Sequence, residues 1–209
     1  MISRIKAAFV ACLVLTLTAC STTTSSVRDV MGEVDRSELS FIRIAVTGAD
    51  IQTAFQDSSR LYELHSRSDE VLEIAKLVTR YYGFTLVSEE EADFVLEIQQ
   101  AIPDGGACVY GMEAARDGFT FGTSVATFGI VPAKTAHCLV VTAELFEGYR
   151  DASTAIGEFI SNRGWVRIYA GVGELSNYRK TVTERDEIRA LEASMAGLLN
   201  LLINEGAFK

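Results

Sequence analysis

Four cysteines, two histidines and one run of carboxylates are the residues of this 209-residue chain whose types could do chemistry. His137 adjoins Cys138, but neighbours on an extended chain point to opposite faces, so the pair is a poor nucleophile and base. His65 stands 72 positions away from His137. No HExxH, CxxC, GxSxG or Walker-type spacing surrounds either one. Glu89, Glu90, Glu91 and Asp93 offer the oxygens calcium takes, without the ligand spacing of an EF-hand loop, and such a run suits a solvated turn. Gly105-Gly106 belongs to a turn rather than to a phosphate cradle. No catalytic residue, metal site or cofactor is therefore expected, and a hydrolase ranks last of three function classes.

Cys20 is different. Arg4 and Lys6 precede an uncharged apolar block from Ala7 to Leu17, and no acidic residue occurs before Cys20. A positive start followed by about 11 apolar residues is a secretory signal; a spanning helix needs roughly 20. Leu17-Thr18-Ala19-Cys20 resembles the lipobox of bacterial lipoproteins, which implies cleavage before Cys20 and a diacylglyceryl group on its sulfur. Acyl chains hold a bilayer at about 0.8 kcal/mol per buried methylene, and two chains anchor stably where one does not. Ser21, not Asp, follows the cysteine, a pattern resembling that of lipoproteins passed on to the outer membrane. Residues 1–19 are thus expected to be a signal peptide. Residues 20–40, rich in Ser, Thr, Asp, Glu and Arg, are expected to be a lipidated tether, flexible over ~25 Å if coil-like.

Removing residues 1–19 leaves 17 basic against 28 acidic residues, a net charge of −11. That surface argues against nucleic acid, whose phosphates need clustered Lys and Arg. Cys12 leaves with the signal, so Cys108 and Cys138 are the one pair left, and an oxidising periplasm favours their disulfide. Closing a loop of about 31 residues would contribute ~3.5–4 kcal/mol in the chain-entropy model; two separately buried thiols are the alternative.

Residues 41–209 suit a single α/β (α+β) domain. FIRIAV predicts a first strand. Val71, Ile74, Ala75, Val78 and Tyr82 recur at helical spacing, with Ser68 as cap and Gly83 as left-handed stop. FTLV and FVLEIQQAI follow as strands, and Pro103, Asp104, Gly105 and Gly106 as a turn. CLVVTAELFE and GWVRIYA alternate as strands, with GYRD as a turn; TAIGEFIS between them has an unclear period. Trp165, Arg167 and Tyr169 share one face, where Trp165 serves as a core or sheet-edge aromatic more readily than as a binding anchor. Thr181 and Glu184 have capping-box spacing before an apolar stripe, Ile188, Leu191, Met195, Leu198, Leu199, Leu202 and Ile203. The expectation is a mixed sheet carrying two main helices, with a β-rich second half.

The segment GFTFGTSVATFGIVPA, residues 118–133, carries no charge between Asp117 and Lys134. Phe119, Phe121 and Val125 fall on one face of an extended chain. It is read as a hairpin arm completing the core, or as an exposed patch including Phe128 and Ile130 that docks on a bilayer or a partner.

YYGFTLVSEEEADFVLEI resembles a passage of small envelope lipoproteins: transport auxiliary lipoproteins, CsgG-like curli secretion lipoproteins and the N-terminal domain of TolB. The resemblance covers residues 42–102. It implies helices on a mixed sheet and an accessory part in transport or assembly, with no functional residue carried over. The expected role is a noncatalytic interaction or assembly factor, lipid-anchored on the periplasmic face of the outer membrane, with an envelope protein or a second copy as partner. The alternative is a transport-auxiliary or secretion-pore subunit using residues 118–147 as membrane or oligomer hairpins.

Overall fold

The computed structural model describes residues 21–31, 36–48, 50–53, 66–104, 126, 133–148, 155–170 and 183–208. In chain order these form β1 (Ser21–Thr24), α1 (Val27–Met31), α2 (Arg36–Leu39), β2 (Arg43–Thr47), α3 (Ser68–Tyr82), β3 (Thr85–Leu86), a 3₁₀ turn (Glu89–Glu91), β4 (Phe94–Asp104), β5 (Ala133–Glu147), β6 (Ala155–Ala170) and α4 (Glu184–Glu205). The strands make one six-stranded mixed sheet in the order β1-β6-β5-β4-β2-β3. β2 runs parallel to both β3 and β4, and the remaining pairs are antiparallel. This is the α+β architecture expected, with α3 and α4 as its two long helices and its longest strands in the second half.

Alternation sorts the sheet residues by face. Ile44, Val46, Leu96, Ile98, Leu139, Val141, Ala143 and Leu145 point to the helices and form one core with Val71, Ala75, Val78 and Tyr82 of α3 and Leu191, Met195, Leu198, Leu199 and Leu202 of α4. Ala45, Val95 and Phe146 form a second, smaller buried cluster on the opposite face. Helix α4 lies close on the long hairpin. The Ser194 hydroxyl is within donating distance of two carbonyls, Leu139 O at 2.7 Å and Ser161 O at 3.0 Å, and its single proton serves them in turn. A Cβ on Gly164 would collide with the backbone carbonyl of Ala190, and one on Gly197 would come within 2.7 Å of Arg163 Cβ. Two glycines, one on each element, set this approach.

Both long helices end on left-handed glycines, Gly83 at φ 105° and Gly206 at φ 69°. Their starts differ from expectation. Arg67, not Ser68, precedes α3, and its N–H donates to the Glu70 carboxylate at 3.0 Å. Helix α4 is capped by Thr183 with Asp186, two residues beyond the expected Thr181 and Glu184. Several strands also differ. TAIGEFIS and GWVRIYA are one continuous strand, β6, paired with β5 through two register irregularities. Pro103 and Asp104 still pair with Leu139 and Cys138, so the expected turn does not begin there. The β2 side of β4 makes its last described bond at Ala101, whose N–H donates to Gln52 O, so Pro103 gives up no ladder hydrogen bond.

The tether expected over residues 20–40 is corrected. Ser21–Thr24 pairs antiparallel with Val166–Tyr169, and Met31 and Leu39 are buried in the main core. Threonine suits strands as well as loops, so the polar composition that suggests a linker also makes an edge strand.

Candidate functional site

Ser21 is the first residue of β1 and stands opposite Tyr169. At the same end of the sheet, Ala133 opens β5 opposite Ala170, the last residue of β6. The last described residue of β4, Asp104, is level with Cys138, and β5 begins five residues before that level, at Ala133. Among the described residues the β1, β6 and β5 strands therefore form a three-stranded projection, and Cys20 is covalently next to its tip. Ser25 fixes the base of that projection: its N–H donates to Trp165 O at 3.0 Å, and the Trp165 N–H donates to Ser25 Oγ at 2.9 Å.

Cys20 lies outside the described residues, as do Cys108, His65 and the five patch residues Phe119, Phe121, Val125, Phe128 and Ile130. Cys138 is fully buried on β5, on the face away from the helices, between Asp104 of β4 and Trp165 of β6. His137 falls on the opposite face of the same strand, in register with Val166. The hairpin alternative is narrowed: residues 138–147 are an interior strand, paired with β4 on one side and β6 on the other, whose Leu139, Val141, Ala143 and Leu145 are core.

The carboxylate run forms the 3₁₀ turn, with none of its side chains buried. Glu90 is held below the usual range by a backbone hydrogen bond and by the Ser88 hydroxyl. Asp93 is committed to Arg43 through a two-pronged contact, Nη2 to Oδ1 at 2.6 Å and Nε to Oδ2 at 3.2 Å, and that hydrogen bonding holds its carboxyl low. Among the described residues no group of three His, Cys, Asp or Glu side chains is arranged to hold a metal ion. No helix among them is long and apolar enough to cross a membrane.

One cavity of about 430 Å³ opens between α1, α3 and α4, lined by Val27, Leu77, Val78, Arg80, Tyr81 and Glu192. Burial pushes the Glu192 carboxyl up, partly offset by Arg189. Leu77 and Tyr81 are exposed at its rim. Sequence reasoning assigned α3 a single apolar stripe and missed this second pair, although the i, i+4 spacing of Leu77 and Tyr81 beside that stripe is its signal. Beneath the groove, the Tyr82 hydroxyl lies 2.8 Å from Ala196 O and 2.9 Å from Asn200 Oδ1, and the Asn200 amide donates to Val30 O at 2.6 Å. These bonds tie α3, α4 and α1 together. A lone carboxyl in an apolar groove can accept a hydrogen bond or hold a cation. It has no second carboxylate or nucleophile among the lining residues to make a reaction centre.

No family model matches the chain, and no curated protein does. Among solved structures, it is similar to the crystal structure of a DUF4136 family protein from Bacteroides thetaiotaomicron, with 10% sequence identity and a TM-score of 0.30, over 90% of this chain and 96% of that one.

Proposed function

We propose that the protein is a lipid-anchored envelope lipoprotein, held by acyl chains on Cys20 at the periplasmic face of the outer membrane, and that it acts there as a noncatalytic interaction or assembly factor. The observation that carries this reading is the run from Ala7 to Cys20, a signal-type apolar block ending in Leu-Thr-Ala-Cys, directly followed by the first residue of the folded sheet. The noncatalytic part rests on the sequence, in which no nucleophile, base or metal-ligand constellation has the spacing its chemistry needs. Its partner is an envelope protein or a second copy, with the apolar segment around Phe119, Phe121, Val125, Phe128 and Ile130 as the contact offered to that partner or to lipid.

A Cys108–Cys138 disulfide belongs to the same proposal. Cys108 follows Asp104 by four residues, and Asp104 stands beside Cys138 in the ladder, which supports the pairing, since bridged Cα atoms must lie within 4.4–6.8 Å. Peptide mapping without reductant should recover the linked pair, and two free thiols in exported protein would exclude it.

Cys20→Ser tests the anchor. The variant should leave the membrane fraction or retain its signal, whereas the parent stays with outer membranes. A parent that fractionates as a soluble protein would contradict the reading.

A further inference from the structure

Because Ser21 already pairs with Tyr169, no free chain separates the anchoring residue from the sheet. Consecutive Cα atoms are about 3.8 Å apart. A thioether lipid on Cys20 therefore emerges at the tip of the projection itself, and the domain is not free to tumble at the end of a linker. Resting on the lipidation of Cys20, we propose that the tip of the β1, β6 and β5 strands stands end-on against the bilayer surface, with Glu147 of β5 and Ala155 of β6 at the end far from lipid.

Charge along the two long strands runs the same way. The segments nearest the tip, residues 21–26, 133–140 and 163–170, contain Lys134, Arg163 and Arg167 and no carboxylate. The far segments, 141–148 and 155–162, contain Glu144, Glu147 and Glu158 and no basic residue. In a mature chain of net charge −11, that separation places the strand positions least repelled by anionic headgroups next to the anchor. Tyr169, opposite Ser21 at this end of β6, is of a residue type that favours membrane interfaces. Among the described residues, the carboxylates at this end are Asp104 of β4 and Glu184, Asp186 and Glu187 in the first turn of α4, which belongs to the helix layer. Among the described residues, those carrying no carboxylate at this end are therefore on the strands and not in the first turn of α4.

The test uses the full lipidated protein in vesicles of phosphatidylethanolamine and phosphatidylglycerol. A donor dye is placed by Lys134→Cys near the tip or by Glu147→Cys at the far end, with acceptor-labelled headgroups and the unlabelled parent as blank. The two positions are separated by 13 residues of strand, about 43 Å at 3.3 Å each. Energy transfer should be several-fold stronger from position 134. Equal transfer from both positions, with the acyl mass present on Cys20, overturns the upright orientation and leaves lipidation standing. Absence of that mass overturns both. A Ser/Gly spacer of about 20 residues between Cys20 and Ser21 would span ~25 Å and should level the two signals; a difference that survives the spacer overturns the anchor as its cause.

Discussion

Tyr82 shows how one side chain can join three elements. It is fully buried in α3, and its hydroxyl reaches the α4 carbonyl of Ala196 and the Asn200 amide oxygen, which leads on to α1. Tyr82→Phe keeps the ring and leaves these acceptors without their donor, so unfolding in urea should show a loss of about 1–2 kcal/mol; an unchanged midpoint would mean that water replaces the hydroxyl. Glu192 gives a test with a sign. Burial raises its folded pKa above the usual 4.5, so folding favours the protonated form. The favourable contribution is present below the unfolded pKa and is lost as pH rises through the folded one. Glu192→Gln should therefore raise the melting temperature at pH 7, and the gain should fade as pH drops below the ordinary glutamate range. A gain independent of pH would contradict the burial of a charged carboxyl. At this scale the sequence was informative about Tyr82 as a core position and silent about its hydroxyl, because partners 114 and 118 residues away leave no local pattern.

Elements were legible where a local rule governs them. The spacing of Val71, Ile74, Ala75, Val78 and Tyr82 defines α3, and Gly83 and Gly206 end their helices by the left-handed conformation a glycine adopts at no steric cost. Elements were misread where a long-range contact decides. TAIGEFIS has an unclear period and GWVRIYA reads as a strand of its own, yet β6 runs unbroken from Ala155 to Ala170. Gly164 is there because α4 comes too close for a side chain, and not because the chain bends. Gly164→Ala would otherwise be welcome in a strand; here its methyl group meets the Ala190 carbonyl. The expected cost is about 2–3 kcal/mol from overpacking, read as a lower denaturation midpoint, and an equal or higher midpoint would refute the close approach. The first strand was missed for the opposite reason. Ser21–Thr24 has no apolar residue to signal burial, and its place in the sheet comes from backbone pairing with β6.

For the molecule as a whole, the described fold takes in Ser21–Met31 and Arg36–Leu39 and does not start near Phe41. A soluble form covering residues 21–209 and another covering 41–209 should differ in stability by at least about 3 kcal/mol, since the shorter loses the buried side chains of Met31 and Leu39. Equal stability would restore residues 20–40 to the tether first expected. Fold class was readable from the sequence because period-2 and period-3.6 patterns survive in the long elements. The functional region was readable only as a covalent position, Cys20, since what gives it meaning is a register 148 residues away at Tyr169. Both the role and the orientation of the domain follow from acylation at that sulfur. Intact-mass and N-terminal peptide analysis of the protein purified from its native membrane tests this most directly: the account predicts a chain starting at Cys20 and carrying acyl mass, and a chain that keeps residues 1–19, or starts elsewhere with an unmodified thiol, would contradict it.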